Sequence, residues 1–211
     1  MLFNSIEFLF FLPLVFVLYW VIRSKRTMEQ NLLLLVASYV FYGWWDWHFL
    51  ALIAASTGID FFVGNAISGS KSQRQKKYLL WLSIVINLGL LGFFKYFNFF
   101  VDSFADLLTS LGMQANHSSL EIILPVGISF YTFQTLSYTI DVYRGKLTPT
   151  KDFIAFATFI SFFPQLVAGP IERATNLLPQ FLKNRSFDYA KAKDGLRQIL
   201  WGFFKKLVIA D

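Results

Sequence analysis

Apolar runs of bilayer-crossing length recur along this 211-residue chain, near residues 6–22, 32–45, 49–67, 78–101 and 122–142. A helix needs about 20 mostly apolar residues to cross roughly 30 Å of hydrocarbon. Inside hydrocarbon a backbone can satisfy its polar groups only as a helix or a closed barrel. Runs this long and this continuous fit helices, so the expected fold class is an all-α polytopic membrane protein with five spans. Composition agrees: 55% of residues are hydrophobic, 15% are charged, and Phe alone accounts for 26.

Charge is placed between the runs rather than on them. Arg23, Lys25 and Arg26 follow the first run, Lys71, Arg74, Lys76 and Lys77 precede the fourth, and Arg144, Lys146 and Lys151 follow the fifth. The aromatic turn Tyr42–His48 and the segment 102–121, with Asp102, Asp106 and Glu121, carry no Lys or Arg. By the positive-inside rule the N-terminus lies outside and the basic segments lie in the cytoplasm. The same distribution accounts for the net charge of +6 and excludes a nucleic-acid partner, which needs a basic face. There is no Cys, hence no thiolate nucleophile or disulfide. The N-terminus lacks the basic region and small-residue cleavage site of a signal peptide.

Within the fifth run, Leu124 to Gly145 reads LPVGISFYTFQTLSYTIDVYRG. Gly127, Tyr131, Gln134, Tyr138 and Asp141 recur at steps of four, three, four and three. At about 100° per residue they share roughly a quarter of a helix circumference. A polar stripe cannot face lipid cheaply, so these residues are expected to line a cavity or bind other helices. Asp60, near the middle of the third run, is costly in hydrocarbon for the same reason and is expected to point inward. Ala51, Ala54, Ala55 and Gly58 offer that run a small-residue packing face.

The segment 153–170 is short, and Pro164 and Pro170 break it around Gln165 and Gly169. With basic residues on both flanks it reads as a re-entrant hairpin, tolerated at membrane depth only when buried or lining a cavity. Residues 188–210 pattern as an amphipathic interfacial helix, with Leu196, Leu200, Phe203, Phe204 and Leu207 opposite Lys193, Arg197, Lys205 and Lys206. No self-sufficient catalytic set and no metal-ligand motif is present. His48 and His117 read as an interfacial and a loop residue, although Asp46 stands close enough to His48 to form a pair.

Three segments carry a resemblance. The stretch Leu124–Gly145, the run Phe159–Ile171 (FISFFPQLVAGPI) and the run Gly202–Asp211 (GFFKKLVIAD) resemble signatures of the membrane-bound O-acyltransferase family, in its bacterial alginate O-acetyltransferase branch. The likeness runs along essentially the whole chain, and the Tyr42–Trp45 turn fits it too. It implies a ring-like multi-helix bundle in the bacterial inner membrane around a tunnel, with Tyr131, Gln134, Tyr138 and Gln165 in the wall. It also implies an acetyl thioester donor such as acetyl-CoA, partner proteins in the periplasm, and a polysaccharide acceptor. The family's catalytic His stands in a Trp-His-Gly context that this chain lacks, so the role is not carried to His48. The chain is expected to be an N-terminal portion, inactive alone. Two other readings stay open from the residues: transfer of D-alanine or another acyl group to a wall polymer, and a transporter or channel. A structural or assembly subunit is a third.

Overall fold

The structure, a computed structural model, describes residues 1–22, 26–111, 125, 127–166, 169 and 172–210. Each apolar run folds as a helix: α1 (Ile6–Val21), α2 (Thr27–Gly43), α3 (Leu50–Gly69), α4 (Gln73–Ser110) and α5 (Ile128–Tyr143). The broken segment gives α6 (Phe153–Ser161), α7 (Phe163–Leu166) and α8 (Ala174–Leu182), and α9 (Tyr189–Phe204) runs on into a π-helical turn at Lys205–Ala210. No strand occurs among the described residues. Among the described residues two helices are long and apolar enough to cross a membrane, Trp47–Gly69 (α3 with the 3₁₀ turn before it) and Gln73–Ser110. Residues 23–25, 112–124, 126, 167–168, 170–171 and 211 lie outside the described set. With them lie His117, the start of the fifth run, and Pro170.

Capping explains several helix starts. Ser5 accepts from the Phe8 amide, Asp152 from Ala155, and Asp188 from Ala190 and Lys191, each satisfying a donor that the first turn leaves free. α4 departs from expectation. The fourth apolar run ends near residue 101, yet the helix continues through Asp102 and Asp106 to Ser110. No Gly or Pro stands between residues 93 and 110, and the two carboxylates, four residues apart, share the exposed side.

α5 is the central helix. It packs against α3, α4, α6 and α8, and ten of its sixteen residues are buried. α3 meets it with Ile53, Ser56, Thr57, Asp60, Val63, Gly64 and Ile67, a set spaced at helical period. The expected small-residue face of α3 is not the packing face: Ala51, Ala54 and Ala55 are exposed. The helix turns its polar residues inward because Ser56 and Asp60 find partners there, whereas Ala can face lipid at no cost.

The segment α6–α8 travels along α2 and comes back. Thr158 Oγ1 donates to the Asn31 carbonyl (3.0 Å), the Phe163 amide donates to Ser38 Oγ (3.2 Å), and Asn31 Nδ2 donates to the Phe181 carbonyl (2.8 Å). The chain thus advances two turns along α2 and returns to the level where it began. The break falls at Phe162, because the Pro164 ring would clash with the carbonyl four residues earlier in a continuous helix. At the apex Phe163 is enclosed by Phe8, Phe11 and Phe41. Ser38→Ala strands the buried Phe163 amide and is expected to cost about 1–3 kcal/mol, read as a lower unfolding temperature of the purified full chain. An unchanged transition would show that another acceptor serves this amide.

α9 stands apart. None of its residues is buried, and it meets the rest of the fold through Phe203, half-buried against the cluster of Phe8, Val15, Ala37, Phe41 and Phe163.

Candidate functional site

The structure gathers the stripe and the hairpin in one place. Tyr131, Gln134, Tyr138 and Asp141 are all buried on α5, while Phe133, expected on another side, is 48% exposed. Gly127 is not a helical member of the stripe. It sits at the N-cap of α5 with φ of 79°, a left-handed conformation that suits Gly. A Cβ there would lie 3.0 Å from the Leu166 carbonyl oxygen, so Gly127 is where the start of α5 touches the far end of α7, next to Gln165.

Gln134 binds the hairpin directly, its Nε2 donating to the Phe159 carbonyl at 2.8 Å. That carbonyl lies just before the break, where helical acceptors lose their partners. Two neighbours are different. The Tyr138 hydroxyl and the Gln165 Nε2 are buried with no hydrogen-bond partner among the described residues, a condition they share with the Thr57 hydroxyl. Most buried polar groups are paired, so such exceptions point to strain or to a working role. Tyr138 is held tightly despite its unpaired hydroxyl: its ring centre is 4.6 Å from that of Phe156, and Gly64 leaves it the space of a missing Cβ.

Asp60 does point inward and is fully buried. Ser83 Oγ donates to its Oδ1 (2.5 Å) and Asn87 Nδ2 to its Oδ2 (2.8 Å). Asn87 Oδ1 in turn accepts from Ser56 (2.9 Å) and Thr135 (3.2 Å). One polar cluster therefore ties α3, α4 and α5 together one helix face away from Tyr138. Ser83 and Asn87 went unremarked in the sequence, although two polar residues four apart in LSIVINLGLL are a legible sign. Their choice of Asp60 as partner was not legible.

The Asp46–His48 pair exists, with Nδ1 of His48 2.7 Å from Asp46 Oδ1. The His48 backbone N–H and then its ring hold the Asp46 carboxyl below its ordinary value, and Trp47 stacks on the imidazole at 3.9 Å. The pair caps an exposed turn, and no hydrogen bond or ring contact joins it to the stripe among the described residues. No cluster of three or more metal-ligating side chains occurs among the described residues.

No protein-family model matches the chain, and no solved structure matches it. Curated relatives do. It is 44% identical over 214 residues to a probable alginate O-acetylase of Pseudomonas aeruginosa, covering 100% of this chain and 40% of that protein. A probable alginate O-acetylase of Azotobacter vinelandii is 44% identical with 42% of its length covered. A peptidoglycan O-acetyltransferase of Helicobacter pylori is 34% identical over 240 residues, with 45% covered. The chain thus spans about two-fifths of the length of the curated relatives it matches. The three motifs and the end-to-end identity agree: along its whole length the chain is similar to about two-fifths of the probable alginate O-acetylases.

Proposed function

We propose that the whole protein is a membrane O-acetyltransferase, moving an acetyl group across the bacterial inner membrane for O-acetylation of an exported polysaccharide such as alginate. In this reading α1–α5 are membrane spans with the N-terminus outside, and α6–α8 form a re-entrant hairpin within a ring-like bundle. The donor is an acetyl thioester such as acetyl-CoA on the cytoplasmic side, and acetyl passes to partner proteins in the periplasm. Tyr131, Gln134, Tyr138 and Gln165 form part of the wall of the transfer path, with Gly127 and Asp141 at its two ends. The general base, which needs a pKa near the working pH, belongs to the part of the relatives' length that this chain does not cover.

The observation that carries the site is the pair of unpartnered buried groups, the Tyr138 hydroxyl and the Gln165 amide. A wall that binds a passing thioester or acetyl oxygen needs donors to spare, and among the described residues neither group has a hydrogen-bond partner of good geometry, although the Thr150 backbone interacts with the Tyr138 hydroxyl. Tyr138→Phe and Gln165→Met therefore remove polar groups that contribute little to the described fold, a change that is near neutral or stabilising. In the full-length protein the double variant is expected to keep its expression and unfolding temperature and to lose at least about tenfold in polysaccharide acetylation, the scale of one lost hydrogen bond to a reacting group. Wild-type acetylation in a well-expressed double variant would sink the wall assignment. The Helicobacter relative favours a second acceptor, peptidoglycan, and mass analysis of the acetylated polymer separates the two.

A further inference from the structure

A groove of about 420 Å³ runs between α1 and the returning arm of the hairpin. Leu12, Val15, Phe16 and Trp20 line it from α1, with Phe163 and Leu177 opposite and Arg185 at one end. Leu12 to Trp20 is two helical turns, about 12 Å, and the lining along it is apolar. The groove belongs to neither the stripe nor the Asp60 cluster.

Arg185 is held in place by groups that leave its charge unanswered. Its guanidinium lies 5.7 Å from the Tyr19 ring centre and 5.5 Å from that of Phe181. Nε donates to the Gln180 carbonyl (3.0 Å), Nη2 to Asn31 Oδ1 (2.6 Å) and Nη1 to Gln30 Oε1 (3.4 Å). The two amides are themselves oriented: Gln30 Nε2 donates to the Tyr19 and Ile22 carbonyls, and Asn31 Nδ2 to Phe181. Every acceptor is neutral, and no carboxylate among the described residues lies within ion-pair distance of Arg185. Among the described residues these acceptors take three of the five guanidinium N–H groups, and the Tyr19 hydroxyl interacts with the guanidinium as well. That leaves at least one N–H on a terminal nitrogen for a phosphate oxygen, a group that Arg binds well.

We infer that this groove binds an anionic phospholipid, one acyl chain lying along α1 and the headgroup phosphate resting on Arg185. Two features select a lipid over a soluble phosphate. The apolar channel leads directly to the cation, and α1 exposes Leu9, Phe10, Leu14, Val17 and Leu18, the side that meets hydrocarbon when α1 is a span. Arg185 also stands in a basic stretch with Lys183, Lys191 and Lys193, as expected for an anionic-lipid pocket between helices at the cytoplasmic surface. The inference rests on the membrane-embedded reading of α1–α5 and not on the acetyl-transfer chemistry.

The test is native mass spectrometry of the full chain purified in mild detergent and titrated with phosphatidylglycerol or phosphatidylcholine. Wild type is expected to retain one phosphatidylglycerol roughly tenfold more strongly than phosphatidylcholine, the worth of one charge-assisted contact. Arg185→Gln should abolish that preference and Arg185→Lys should keep part of it. Leu12→Trp, which leaves the cation in place and fills the channel, should weaken retention of both lipids. Equal retention of the two lipids by wild type, or unchanged retention in Arg185→Gln and Leu12→Trp, overturns the proposal. So does the absence of any bound lipid, the result if another part of the chain or a second copy fills the groove. A chain that stays monodisperse without detergent would overturn the membrane reading itself, which separates the two failures.

Discussion

Asp60→Ala should destabilise the purified full chain by roughly 2–4 kcal/mol, combining a stranded buried donor with the void left by the carboxylate. The loss falls mainly on Asn87. Ser83 can redirect its hydroxyl to Thr139 Oγ1, 3.3 Å away, and one Asn87 N–H keeps the Ser83 carbonyl at 3.0 Å. The other Asn87 N–H, now on Asp60 Oδ2, keeps only the long contact to Ser83 Oγ at 3.5 Å. Asp60→Asn keeps the shape but sets an amide donor against one of the two donors, so it should fall between wild type and Ala. The cluster also predicts non-additivity. Removing Asp60 and Asn87 together leaves no stranded amide, so Asp60→Leu with Asn87→Leu should cost less than the sum of the single changes. A thermal or denaturant melt unchanged in Asp60→Ala, or strictly additive pairs, would show that the cluster does not bind α3 to α4.

Gly64 is the second sensitive position. A Cβ added there would stand 2.6 Å from Tyr138 Cε1 and 3.0 Å from its hydroxyl. The ring cannot retreat, since Tyr138 is fully buried and Phe156 packs behind it. Gly→Ala inside a helix ordinarily gains up to about 1 kcal/mol; here overpacking of about 1–3 kcal/mol opposes it. Gly64→Ala should therefore lose stability on balance, and Gly64→Leu should fail to yield a folded chain. Shrinking the partner tests the cause: Tyr138→Leu in the Gly64→Ala background should recover stability, yet not acetylation. A Gly64→Ala chain that melts higher than wild type would mean that the α3–α5 contact has slack.

Sequence patterns revealed most of this architecture, for identifiable reasons. Long apolar runs located α1 to α4, and the 3.6-residue period placed Tyr131, Gln134, Tyr138 and Asp141 on one side of α5 because a helix repeats its environment at that interval. Pro164 announced a break around Gln165, and backbone sterics place it three residues earlier, at Phe162. Patterns failed where two helices had to be compared. α3 alone offered two inward faces, the alanines and the side of Asp60, and it is the side of Asp60, met by Ser83 and Asn87 on α4, that packs inward. The fourth run was bounded near residue 101 by its apolarity, and α4 outlasts it because a helix continues through exposed charged residues where no Gly or Pro intervenes. Arg185 looked like one more cytoplasmic cation, because its contacts with Gln30 and Asn31 lie more than 150 residues back along the chain.

That separation has a consequence for biosynthesis. Asn31 and Ser38 sit on α2, near the start of the chain, while the groups that satisfy them arrive with Phe163, Phe181 and Arg185. The Asn31–Phe181 pair spans 150 residues, which at about 5–20 residues per second takes roughly 8–30 s to synthesise. For that interval α2 exists without its partner, carrying polar side chains that hydrocarbon disfavours. The late hairpin is therefore a closing step. A pause or truncation between residues 112 and 153 would leave α2 without these contacts, along the side the hairpin fills.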